Sequence, residues 1–191
     1  MQAMHCRKII AFVEGSMERL FINNNFPYID VIPILNGESW TIEALCKQVS
    51  SKFAVKNINA DRIIIWVDKE RQRCTSNEVS IKIKDALVSK GANPNIISVC
   101  IPDRMTENII LADECMMREY IDDDNYQYKY EGQNGKSILS SILLTKGKNY
   151  KPISEGVMLL KKVRLSRSAE NSKSAKLFLD SFCVKCWWIG P

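Results

Sequence analysis

The chain has 191 residues, 46% of them hydrophobic and 26% charged, an ordinary globular balance that excludes wholesale disorder, a collagen-like repeat and a disulfide miniprotein. The formal net charge is +5, and no apolar run approaches the ~18 residues needed to cross a bilayer, so no membrane partner is expected. One principal domain with a C-terminal extension fits this length.

Arg7 and Lys8 precede a short apolar run that Glu14 stops, so residues 8–13 read as a first buried strand and not as a secretory h-region. Residues 16–24 follow with Met17, Leu20 and Phe21 at helical spacing. Residues 29–35 are apolar and β-branched and end at Asn36-Gly37; over residues 41–54, Ile42, Leu45, Val49 and Phe53 fall on one helical face. Residues 62–67 form the strongest strand, apolar almost without interruption, as when both faces of a parallel sheet are covered. Thr75 and Glu78 make a capping-box pattern opening a helix that runs to about Lys90 and stops at Gly91. A fourth strand at 96–101 is halted by Pro102, and a fourth helix is predicted over 106–120.

This repeated βα alternation predicts an α/β fold: a Rossmann-like, mainly parallel, doubly wound sheet with helices on both faces. It occupies residues 1–121. Residues 122–135, with Asp122, Asp123, Asp124 and two glycines, read as an acidic, polar linker or lid, and residues 136–191 as a basic, mainly helical C-terminal extension, with helices near 137–144, 154–163 and 172–182.

The charge is unevenly placed: residues 1–135 hold 16 Lys and Arg against 19 Asp and Glu, whereas residues 136–176 hold 10 against 2. Lys161, Lys162, Arg164, Arg167, Lys173 and Lys176 could neutralise phosphates along a nucleic-acid backbone; a solvated helical face accounts for the same run. Seven cysteines, an odd number, suit a reducing compartment, and a cytoplasmic location is expected. His5 is the only histidine, which removes Ser-His-Asp, Cys-His and multi-histidine metal chemistry.

Open α/β sheets bind ligands at the carboxyl ends of their strands. The residues there are acidic: Glu14 after the first strand, Asp68 and Glu70 after the third, and Glu107 at the helix after the fourth. Glu18, four residues after Glu14, shares its side if the turn is helical, and Asp68 and Glu70 aim to one side if the chain stays extended. Converging carboxylates repel, and a divalent cation relieves the repulsion; oxygen-only ligands select Mg2+ or Mn2+. Two such ions ~3.5–4 Å apart support in-line displacement at phosphorus. Taken singly, each acid has a plainer reading: Glu14 and Glu107 as helix starters, Asp68 and Glu70 as ion-pair partners of Lys69, Arg71 or Arg73.

Phe12-Val13-Glu14-Gly15, followed about fifty residues later by Ile64-Ile65-Trp66-Val67-Asp68-Lys69-Glu70, resembles the Toprim domain of primases, topoisomerases and overcoming-lysogenization-defect nucleases. The run Pro102-Asp103-Arg104-Met105-Thr106-Glu107-Asn108-Ile109-Ile110 is similar to that in small Toprim-like proteins of bacterial defence islands. The likeness spans residues 8–120. It implies metal and phosphoryl chemistry at Glu14 and Asp68, further metal ligation by Glu18 and Glu70, and a catalytic acidic position at Glu107. Glu70 stands where the family has aspartate.

The resemblance thus implies a Mg2+- or Mn2+-dependent nuclease of a prokaryotic antiviral module. The competing expectations are a catalytically inactive, Toprim-derived adaptor that binds nucleic acid or a partner ATPase, and a metal-dependent enzyme of small nucleotides. Gly135-Lys136-Ser137 lacks the earlier glycine and preceding strand of a P-loop. Cys183-x-x-Cys186 is half a zinc signature beside Trp187 and Trp188, which suggest terminal packing. Tyr126, Tyr128 and Tyr130 alternate either as a base-stacking surface or as an ordered loop.

Overall fold

A computed structural model describes residues 8–35, 40–55, 60–70, 72–182 and 184–190. The Asn36-Gly37 turn, His5, Arg71 and Cys183 lie outside the described residues. Four strands, β1 (Ile9–Val13), β2 (Ile29–Pro33), β3 (Arg62–Trp66) and β4 (Ile97–Cys100), form an all-parallel sheet in the order β2-β1-β3-β4.

The unbroken apolarity of β1 and β3 has a direct structural cause. Ile10, Phe12, Ile63 and Ile65 face a core completed by α2 (Ile42–Val55) and α3 (Ser76–Val88), while Ala11, Val13, Ile64 and Trp66 face the opposite core. That second core is built by α1 (Ser16–Asn25), α4 (Glu107–Ala112) and the helices that follow. Helices on both faces agree with right-handed crossovers that run first to one side of β1 and then to the other. The capping box at Thr75 and Glu78 is present, with the Thr75 N–H donating to Glu78 Oε2 at 2.8 Å.

One helix expected over 106–120 is two. Asp113 separates α4 from α5 (Glu114–Ile121): its Oδ1 accepts from the Met116 N–H at 3.1 Å, while its Oδ2 accepts from the Arg164 N–H at 2.9 Å and from Arg167 Nη2 at 2.8 Å. The side chain satisfies the start of a new helix and anchors a distant segment, so the chain turns there.

Beyond residue 134 come α6 (Gly135–Thr145), a π-helical turn (Pro152–Gly156), α7 (Val157–Lys162), α8 (Leu165–Asn171) and α9 (Lys173–Ser181); α8 has no counterpart among the expected helices. Leu139, Leu159, Phe178 and Trp188 share one buried cluster with Ala11, Ile64 and Trp66. Trp188 stacks on Trp66 with ring centroids 5.4 Å apart, and its Nε1 donates to the Leu160 carbonyl at 2.9 Å. Residues 122–134 form an ordered loop in which Tyr126 is buried and donates to the Leu111 carbonyl at 2.8 Å. Tyr128 and Tyr130, half-buried, pack edge to face at 5.9 Å against the same core. Among the described residues no helix is long and apolar enough to cross a membrane.

Candidate carboxylate site at the strand ends

The chain leaves β1 toward β2 on one side and returns to place β3 on the other, so the strand order reverses between β1 and β3. A crevice opens at such a point beyond the carboxyl ends of the strands. Glu14 and Asp68 are the acids that follow these two strands, and the Asp68 N–H donates to Glu14 Oε2 at 3.2 Å. Asp68 Oδ1 accepts from the Thr106 N–H at 2.9 Å and from Thr106 Oγ1 at 3.1 Å. Thr106 Oγ1 in turn accepts from Trp66 Nε1 at 3.1 Å, which ties the site to the core beneath it.

Glu18 and Glu107 are 5% and 4% exposed, a depth that charged side chains reach only with compensation. Glu18 folds back over the start of α1, and a methyl group on Gly15 would overlap its carboxylate. Glu107 Oε1 accepts from the Tyr150 hydroxyl at 2.9 Å.

Burial raises the proton affinity of all four acids. Burial, then the charge of Glu70, pushes the Glu14 carboxyl up to about 7 from 4.5, against the pull of the Asp68 N–H. Burial followed by the charges of Glu18, Glu107 and Glu14 holds Asp68 well above the usual carboxylate range. Burial also raises Glu18, with Glu107 adding to it and Thr106 opposing, and it raises Glu107 against Tyr150 and Lys136. The ion pairs of the described residues lie elsewhere, and Lys69 pairs with Asp103 at 3.4 Å instead of with Asp68.

The chain does not stay extended past β3. Glu70 turns into the left-handed region at φ 50°, so the extended-spacing argument for Asp68 and Glu70 does not hold; Glu70 acts on Glu14. Among the described residues no three His, Cys, Asp or Glu side chains form a group that could hold a metal ion. The acids are neighbours whose oxygens are in part engaged by Thr106, Tyr150 and the Asp68 N–H.

No family model, curated protein or solved structure matches this chain.

Lys161, Lys162, Arg164 and Arg167 line one cleft of about 590 Å3 with Met116, Glu119, Tyr120 and Met158. Lys162 Nζ lies 5.4 Å from the centre of the Tyr120 ring, and Arg167 also grips buried Asp113. Lys173 and Lys176 do not line it; both are exposed on α9, where Lys176 pairs with Asp180 at 3.4 Å.

Four site neighbours were not identified from the sequence. Thr106 and Tyr150 bond the acids. The buried Trp40 Nε1 makes no full hydrogen bond and weakly favours the ionised form of Glu14. Lys136 favours that of Glu107, and in the sequence it stands out only within the Gly135-Lys136-Ser137 triplet.

Proposed function

We propose that this chain is a Mg2+- or Mn2+-dependent nuclease that cleaves phosphodiester bonds in nucleic acid. The observation that carries the reading is a set of mutually repelling carboxylates, buried Glu18 and Glu107 with half-buried Glu14 and Asp68, beyond the two central strands, none of them in an ion pair among the described residues. Such a charge set is stable when protonated or when neutralised by a cation, and a strongly perturbed group in a crevice is a functional candidate. The donor set is carboxylate oxygen alone, which suits Mg2+ or Mn2+. Glu14, Glu18 and Asp68, with Glu70 beside Glu14, would have to draw together to hold the ion, because as they stand no three acids among the described residues form an ion-holding group.

A divalent ion in that place supplies Lewis-acid stabilisation of charge on a phosphoryl oxygen and a more acidic bound water. The chain's own residues do the rest. Thr106 orients Asp68, Tyr150 orients Glu107 as the group that positions water, and the cleft of Lys161, Lys162, Arg164 and Arg167 grips the backbone. A role in prokaryotic antiviral defence follows from the Toprim-like resemblance of residues 8–120. The test is cleavage of single- and double-stranded DNA and RNA with Mg2+ or Mn2+, by wild type, Glu14→Ala and Asp68→Ala. Both variants should be folded and inactive, and unchanged cleavage by both removes the metal-site assignment.

A second reading, a catalytically inactive adaptor for nucleic acid or a partner ATPase, is favoured by one observation: no three acids among the described residues form a ready ion-holding group. Calorimetric titration with Mg2+ and Mn2+ separates the two, since an adaptor binds neither saturably at these acids.

A further inference from the structure

The rim of the carboxylate site carries two cations, Lys69 and Arg104, alongside Glu70 and Asp103. Lys69, Gln72, Arg104 and Gly132 enclose, with Glu70, a polar notch of about 240 Å3. That is smaller than the ~300–1,000 Å3 of pockets that enclose a whole small molecule, and its size suits a single charged group.

Backbone geometry builds the notch. The Glu70 N–H donates to the Arg104 carbonyl at 2.7 Å, and Arg104 Nε donates back to the Glu70 carbonyl at 3.2 Å. This double tie holds Glu70 at φ 50°, a left-handed conformation that is unfavourable for a non-glycine residue. The strained turn brings a lysine from the loop after β3 and an arginine from the loop after β4 to one hollow.

Lys69 is anchored by Asp103, which also accepts from the Gly132 N–H, so the lysine is held in place while its ammonium keeps donors to spare. Arg104 uses only Nε among the described residues, which leaves the outer nitrogens of the guanidinium for a ligand. The notch and the acids share a wall: Glu70 lines the one and its charge acts on Glu14 in the other, and Gln72 Nε2 donates to the Trp40 carbonyl at 2.8 Å beside Glu14.

We propose that Lys69 and Arg104 form a phosphate subsite that seats one phosphoryl group of the substrate beside the carboxylates. The inference rests on the phosphoryl-transfer reading of those carboxylates and adds how an anion is brought to an acidic site. A guanidinium and an ammonium at the rim offset the repulsion that the acids exert on a phosphate, and the arginine fork matches two phosphate oxygens.

The test is binding, not turnover. A dye-labelled, single-stranded oligodeoxynucleotide without a terminal phosphate is titrated in Ca2+ by fluorescence anisotropy against wild type, Lys69→Met, Arg104→Gln and the control Lys47→Ala on the exposed face of α2. Thymidine 5′-monophosphate serves as competitor. Each notch variant should bind about tenfold or more weakly, the loss of a hydrogen-bonded charge, with Lys47→Ala unchanged. Competition by the monophosphate on the wild type assigns the subsite to a phosphomonoester, and its failure assigns it to a backbone diester. Affinities equal to wild type in both notch variants overturn the proposal. Lys69→Met leaves buried Asp103 unpaired; should it unfold, Arg104→Gln carries the test, because glutamine retains a donor for the Glu70 carbonyl. Mn2+ binding followed by electron paramagnetic resonance on the same proteins separates the two layers. Strand affinity lost in the variants without saturable Mn2+ binding in any protein upholds the notch and sinks the metal reading; saturable Mn2+ with unaltered strand affinity does the reverse.

Discussion

The Asp68 N–H donates to Glu14 Oε2 at 3.2 Å, which clamps the acid that follows β1 to the acid that follows β3. The bond lowers the cost of ionising Glu14, yet burial and the neighbouring charges outweigh it and leave the carboxyl raised. The acids are therefore held near one another at an energetic cost to the fold, a cost that natural proteins carry most often at functional sites.

Replacing the Asp68 carboxyl by an amide should stabilise the chain wherever that carboxyl is ionised. Asp68→Asn retains an oxygen for the Thr106 N–H and hydroxyl while removing a charge that Glu18, Glu107 and Glu14 repel. In EDTA at about pH 8 its melting temperature should exceed that of wild type by roughly 3–6 °C, about 1–2 kcal/mol. Mg2+ should raise the wild-type melting temperature and leave that of the variant in place. A variant that melts below wild type in EDTA contradicts the repulsion argument.

The same charges set a pH dependence of definite sign. Glu14 is raised from 4.5 to about 7, so the folded state binds the proton more tightly than the unfolded chain. Its contribution is full below the unfolded value and is lost as pH climbs through the folded one; Glu18, Asp68 and Glu107 are shifted in the same direction. Metal-free protein should lose stability between about pH 5 and 8, with up to about 3 kcal/mol from Glu14 alone. Saturating Mg2+ should flatten the curve. Scanning calorimetry across the range, with and without the ion, checks both halves.

The elements that the sequence made legible are those whose signal is local. The unbroken apolar runs of β1 and β3 reflect a sheet covered on both faces, and the Thr75 and Glu78 box spans a single turn. Glu14 and Asp68 could be paired in advance because strand ends meet wherever a parallel sheet closes. Tyr150 could not: it reaches Glu107 across 43 residues through the packing of later helices, and nothing near it in the chain announces an acid. Asp113 hid for a similar reason, since its helix-breaking role depends on Arg164 and Arg167 arriving from more than 50 residues away. The basic run likewise gave no clue that four of its cations would share a cleft while Lys173 and Lys176 would sit apart on α9.

Thr106 joins the core to the site, and its hydroxyl should be worth more than a single hydrogen bond. It donates to Asp68 Oδ1 at 3.1 Å and accepts from the fully buried Trp66 Nε1 at 3.1 Å. Thr106→Val keeps the shape but orphans the indole N–H and removes a donor from a carboxylate that already ionises with difficulty. A loss of about 2–3 kcal/mol in urea unfolding is expected, with Thr106→Ser recovering most of it.

Two arginine and lysine pairs that look alike in the sequence should behave differently when cut. Asp113 is 0% exposed, and Arg167 meets it through Nη2 at 2.8 Å and Nε at 3.1 Å. Arg167→Ala leaves that carboxylate without its charge partner, supported only by the N–H groups of Met116 and Arg164, and should cost about 3–5 kcal/mol. Lys176 and Asp180 pair at 3.4 Å with more than half of each side chain exposed, at 63% and 57%, so Lys176→Ala should fall within about 0.5 kcal/mol of wild type. Equilibrium unfolding in urea distinguishes them, and equal effects would mean that Asp113 is not the anchor of the segment between α7 and α8. Loss of nucleic-acid affinity in Arg167→Ala is informative only beside Lys161→Ala and Lys162→Ala, which line the same cleft with exposed side chains and should weaken binding without changing the urea midpoint.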